Sequence, residues 1–154
     1  MKNIIYLKGD ATEPIGEGHK VIAHVCNDVG GWGAGFVLAL SRKWKDPELS
    51  YRNAIKDHLG LGDCSIAYVR EDITVINMIA QAGYVSAKNP VAIRYNALEI
   101  CFEKMIEYIR FHNATVHMPR IGCGLAGGSW DKIEPIIKKC FSENDIQVYI
   151  YDLK

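Results

Sequence analysis

Short β-branched apolar runs alternate with stretches of helical periodicity along the chain, and no internal repeat, linker or low-complexity segment interrupts them. Residues 3–9 and 20–26 read as strands, being short, apolar and bounded by turn residues. Helices are predicted over 33–44 and again from Pro47, with Asp46 as the N-cap of the second. Two strands follow, 65–69 and 73–80, joined by the polar turn Arg70-Glu71-Asp72. The near-continuous apolar run of the second suits a strand buried on both faces. From 90 to 112 the chain reads as one helix, with Ile93, Ala97, Cys101, Met105 and Ile109 spaced at helical intervals. A strand at 115–118, a helix at 130–141 and a strand at 147–153 complete the series. This alternation predicts an α/β fold, a three-layer α/β/α sandwich around a mixed, mostly parallel sheet. Ligands of such sheets lie outside the carboxyl ends of the strands, which here means the loops after Gly9, Cys26, Ala80, Met118 and Tyr151.

Composition narrows the class. The chain has 154 residues, enough for a single domain over 1–154, with 49% hydrophobic and 23% charged residues, values that argue against disorder. Eighteen basic residues balance eighteen acidic ones. There is thus no electrostatic case for double-stranded nucleic acid or an acidic membrane surface. No apolar run reaches the roughly 18–20 residues of a membrane span, and the polar start is no signal peptide, so a cytoplasmic location is expected. The five cysteines are scattered without a CxxC pair or a histidine at ligand spacing, which argues against a disulfide framework and a structural zinc site. Cys123, between two glycines, is open to a nucleophilic reading; the others read as packing.

The glycines are unevenly placed. Four of the 14 fall between Gly30 and Gly35 and four more between Gly122 and Gly128, each cluster after a predicted strand and before a predicted helix. Lacking Cβ, glycine lets backbone N–H groups approach an anion closely, and a helix start adds its positive dipole end. One such loop reads equally as a tight turn. Two at the ends of one sheet point to two anionic groups held together, as in a diphosphate. Neither loop follows GxGxxG in register or GxxxxGK[ST], and no acidic cluster stands by to hold Mg²⁺, which counts against a phosphoryl-transferring NTPase.

Four motifs occur in order: Lys8-Gly9-Asp10, Ala23-His24-Val25-Cys26-Asn27, Gly31-Trp32-Gly33-Ala34-Gly35-Phe36 and Met118-Pro119-Arg120-Ile121-Gly122-Cys123-Gly124-Leu125. Together they resemble a macro domain from Ile4 to Leu153, nearest the branch of the yeast ADP-ribose 1''-phosphate phosphatase and the terminal ADP-ribose glycohydrolase. The resemblance implies a cleft for ADP-ribose or a derivative substituted at its 1'' position, free or carried on a protein. Asp10 would then accept from the adenine amino group, with the Ala11 backbone beside it and Tyr151 flanking the ring. Gly33, Ala34, Gly35 and Phe36, with Ile121, Gly122, Cys123, Gly124, Leu125 and Ala126, would wrap the diphosphate and distal ribose, Asn27 facing that ribose and Trp32 shaping the cleft. On the residues alone, Asp10 also reads as the cap of the following turn and Tyr151 as a core or edge residue.

The same resemblance bears on chemistry. The glycohydrolase's lysine and aspartate positions fall at Gln81 and Ala126, where an amide cannot form a Schiff base and a methyl cannot shuttle protons. The remaining match is to the phosphatase, for which Asn27, Asp28 and His24 are candidates to orient or deprotonate a water. His24 equally reads as a satisfied core residue. The alternatives are a reader of free or protein-linked ADP-ribose, and a hydrolase of O-acetyl-ADP-ribose or ADP-ribosyl esters. No cofactor is implied.

Overall fold

A computed structural model describes residues 1–154. Six strands, β1 (Ile5–Lys8), β2 (Lys20–Asn27), β3 (Cys64–Arg70), β4 (Ile73–Gln81), β5 (Thr115–Pro119) and β6 (Val148–Asp152), form one sheet in the order β1-β6-β5-β2-β4-β3. Every neighbouring pair is parallel except β3 with β4, which are antiparallel across the tight turn after Arg70. The helices are α1 (Phe36–Lys43), α2 (Asp46–Lys56), α3 (Tyr95–His112) and α4 (Trp130–Cys140), with a short 3-10 turn at Ser142–Asn144.

Side-chain alternation along the central strands divides the core into two layers. Val21, Ala23, Ile76, Met78 and Ala80 face α3 and α4, meeting Leu98, Phe102, Met105, Ile133 and Ile137. Ile22, Cys26, Val75 and Ile79 face the other way, against Val37 and Leu40 of α1 and Tyr51 of α2. β4 is buried on both faces along eight of its nine residues, which accounts for its unbroken apolar sequence. The parallel strands therefore all direct their carboxyl ends, and the loops that follow, to one edge of the sandwich.

Three boundaries differ from the sequence reading. The first helix starts at Phe36 rather than 33, because Gly35 adopts φ 80°, ψ −146°, a backbone conformation that breaks the helical run. Lys45, not Asp46, caps α2; Asp46 is its first helical residue, and its charge falls in the first turn beside the helix dipole. α3 starts at Tyr95, so residues 90–94 are not helical. Asn89 precedes a proline, which disfavours the helical conformation there. The Arg94 guanidinium ties the segment down, donating to Asn89 Oδ1 (2.8 Å) and to the carbonyls of Val91 and Ala92. Ile93, which matched the helical period, is buried instead through an isolated bridge to Gln81.

Candidate functional site

At the carboxyl edge of the sheet the two glycine loops face each other across a cavity of about 520 Å³. From the first loop it is lined by Gly31, Gly33, Ala34, Gly35 and Phe36, and from the second by Ile121, Gly122, Gly124, Leu125 and Ala126. The loops touch at the rim: a Cβ on Gly35 would meet the Leu125 side chain at 3.1 Å. The backbone N–H groups of Gly33, Ala34, Gly35, Phe36 and Val37 donate to nothing within the chain, and neither do those of Gly122, Cys123, Gly124, Leu125 and Ala126. Two rows of orphan donors therefore converge on one space, the first at the amino end of α1. The only charged side chain in the lining is Arg120. Its guanidinium is held bidentately by Asp152 at 2.7 and 3.1 Å and stacks on the rings of Tyr6 and Trp130. No carboxylate reaches the cavity.

His24 and Asn27 come to its wall on β2, where a register shift between Cys26 and Asn27 turns the strand end. The Asn27 side-chain oxygen Oδ1 accepts from Val29 N–H and Gly31 N–H, both at 3.0 Å, and from the Tyr51 hydroxyl at 2.7 Å. Its amide donates to the Gly31 carbonyl at 3.2 Å, leaving one N–H unused. The side chain thus shapes the start of the first glycine loop. His24 packs on Trp32 and Phe36 and meets Asn77 Oδ1 through Nε2 at 2.5 Å. Asn77 Nδ2 already donates to the Pro47 carbonyl and to Ser65, so its oxygen faces His24 and the imidazole carries its proton on Nε2.

Asp28 does not reach the cavity. Its carboxylate accepts the Gly83 N–H at 2.9 Å and clips the end of β2 to the segment after β4. This corrects its assignment as a base for a cavity water. Asp10, Ala11 and Tyr151 lie outside the lining as well. Asp10 Oδ1 accepts from both the backbone and the hydroxyl of Thr12 at 2.8 Å, the turn-capping arrangement, and its second oxygen has no partner within the chain. The Tyr151 hydroxyl accepts from Ile15 N–H and pairs with His117 Nδ1, and the ring is buried. Trp32 is buried behind the first loop, its indole N–H on Ser41. Burial pushes the Cys123 thiol up, against a thiolate nucleophile.

Sequence reasoning missed Tyr84 and Val85, which line the side of the cavity beyond β4. They carry no motif; the position of their loop at a strand's carboxyl end was the one signal available.

No protein-family model matches the chain. It is 32% identical to mouse chromodomain-helicase-DNA-binding protein 1-like over 158 aligned positions, covering 97% of this chain but only 18% of that protein's length. It is 25% identical to the ADP-ribose 1''-phosphate phosphatase of Lodderomyces elongisporus, covering 96% of this chain and 98% of that one. Among solved structures, a protein of unknown function from Bacteroides thetaiotaomicron superposes with a TM-score of 0.95 at 50% identity, covering 98% of both chains. A macrodomain protein from Streptomyces coelicolor superposes with a TM-score of 0.86 at 42% identity, covering 97% of this chain and 99% of that one. The chain belongs to the macrodomain family.

The glycines of this macrodomain serve two ends. Gly33 and Gly124 are bare to the cavity, a Cβ at either meeting nothing within 4 Å. Gly127 and Gly128 are enclosed, and a Cβ would overlap the carbonyl oxygens of Pro90 and Gly122 respectively. The second loop is held from behind, since Ala126 O accepts the N–H groups of both Ala92 and Ile93.

Burial also sets the macrodomain's response to acid. It holds the imidazole of His24 down to about 4 and that of His117 down to about 3. Both are neutral in the folded chain at pH 7. Below about pH 6.5 the unfolded chain binds protons that the folded one refuses. The contribution of the neutral histidines to stability is complete above that pH and is lost as pH falls through the folded values. The thermal midpoint is therefore expected to fall between pH 7 and pH 5, and an unchanged midpoint would contradict the neutral, buried assignment.

Proposed function

We propose that this macrodomain binds ADP-ribose and removes the phosphate of ADP-ribose 1''-phosphate. The observation that carries the reading is the pair of orphan N–H rows converging on one cavity that no carboxylate enters. Such a site stabilises several negative oxygens through fixed dipoles without reorganising, and exposes no charge that would repel them. The likeness to the Lodderomyces phosphatase, over nearly the full length of both chains, supports the choice of reaction. On this reading Asp10 offers its free oxygen to the adenine amino group, beside the Ala11 backbone. Tyr151 supports that end from below, its hydroxyl being already in use.

The chemistry is hydrolysis at phosphorus. Water forms the new P–O bond, the bond to the 1''-oxygen breaks, and ADP-ribose leaves with a hydroxyl at that position. With Asp28 held by Gly83 and His24 Nε2 held by Asn77, the attacking water gives its proton to a phosphoryl oxygen of the substrate. The monoester's own proton passes to the leaving oxygen. The N–H rows hold the diphosphate and so fix the distal ribose that carries the reacting group, which is a positioning role.

A second reading, a non-catalytic reader of free or protein-linked ADP-ribose, is favoured by the lack of any carboxylate base in the lining. Hydrolysis of O-acetyl-ADP-ribose or an ADP-ribosyl ester would use the same cavity. A ³¹P NMR time course of ADP-ribose 1''-phosphate with the protein and a chelator tests the proposal. Free phosphate growing beside intact ADP-ribose is the expected result. Shifted diphosphate signals with a persistent monoester would transfer the assignment to the reader.

A further inference from the structure

The order of the strands orders the cleft. Asp10 follows β1, Tyr151 lies on β6, the second glycine loop follows β5, the first follows β2, and Tyr84 and Val85 follow β4. A ligand with its adenine at Asp10 and its diphosphate between the loops runs across the strands. Its far end then meets the wall formed by Tyr84.

That wall carries two unused donors. The Tyr84 hydroxyl makes no hydrogen bond within the chain, whereas Gly83 N–H donates to Asp28 and the Ala82 and Tyr84 carbonyls accept from Asn89 Nδ2. The Tyr84 hydroxyl closes directly over Gly31. A Cβ there would overlap the phenol and stand 2.7 Å from Asn27 Nδ2. Asn27 has its oxygen saturated by three donors and one amide N–H to spare. The phenol oxygen and the amide nitrogen therefore both lie over Gly31, at the start of the first glycine loop, and the phenol meets no acceptor from the chain. The backbone that carries Tyr84 is tied at Gly83, Asn89 and Arg94.

We propose that Tyr84 Oη and Asn27 Nδ2 form a two-donor subsite for an anionic substituent on the distal ribose, a phosphate monoester in preference to a bare hydroxyl. This rests on the reading of the cleft as an ADP-ribose site. Two donors aimed together favour an oxygen carrying charge, because charge-assisted hydrogen bonds are about twice as strong as neutral ones.

Isothermal titration of the full chain with ADP-ribose and with a non-hydrolysable phosphonate analogue of ADP-ribose 1''-phosphate, comparing wild type, Tyr84→Phe and Gly31→Ala, provides the test. Tyr84→Phe removes the hydroxyl and keeps the ring. It is expected to lose about tenfold more affinity for the phosphonate than for ADP-ribose. Gly31→Ala keeps every donor but its Cβ crowds both the phenol and the Asn27 amide, and it is expected to show the same selective loss. Thermal melts confirm that both variants are folded. Equal losses for the two ligands, or none, would overturn the subsite while leaving the ADP-ribose site standing. Wild-type protein that binds neither ligand would overturn the ADP-ribose reading itself and the subsite with it.

Discussion

Gly124→Glu is expected to weaken ADP-ribose binding by about a hundredfold or more, a difference of about 2.8 kcal/mol, while leaving the fold intact. Nothing lies within 4 Å of a Cβ at this position and its φ is not in the left-handed range, so the new side chain has room and an ordinary backbone. The room it takes is the cavity, where its carboxylate would stand among the N–H groups proposed to meet phosphate oxygens and would repel the diphosphate. Calorimetric titration together with a thermal melt checks both halves. The contrasting control is Gly127→Ala, three residues on. There φ is +74° and a Cβ overlaps the Pro90 carbonyl, so the melt itself should fall. Normal binding by folded Gly124→Glu would show that the diphosphate does not lie between these loops.

Asn27→Ala is expected to cost about 2–4 kcal/mol of stability, with loss of ligand binding following from it. The substitution strands the N–H groups of Val29 and Gly31 and deprives the Tyr51 hydroxyl of one of its two acceptors. Tyr51 is fully buried and also receives Gly30 N–H, so the disturbance reaches the layer beneath α2. For a chain of this length that corresponds to a midpoint lower by about 10 °C. Were Asn27 solely a water-orienting group, turnover would fall with binding and melting unchanged. Those three measurements on one variant separate the roles.

The strands and the two loops were legible because their signals are local. A buried parallel strand needs an unbroken apolar run, which 73–80 has, and a loop that must bare its N–H groups needs glycine. Asp28 was misread because a carboxylate beside Asn27 is near the cleft in sequence, while its partner, Gly83, lies 55 residues away on another strand's loop. Residues 90–94 misled for a related reason. Ile93 occupies a helical position by count, but the local bonds of the Arg94 guanidinium and the distant Ala126 carbonyl decide its conformation. Tyr84 was hidden because its significance depends on Gly31, with which no sequence spacing connects it.

The bracing of the second glycine loop bears on kinetics. With Ala126 O fixed by Ala92 and Ile93, Gly127 and Gly128 enclosed, and the opposite loop fastened through Asn27, neither wall has much ordering left to do when a ligand arrives. Association should therefore proceed in a single concentration-dependent phase without a slow closing step. Differences in affinity among ligands should appear in how long each stays rather than in how fast it docks.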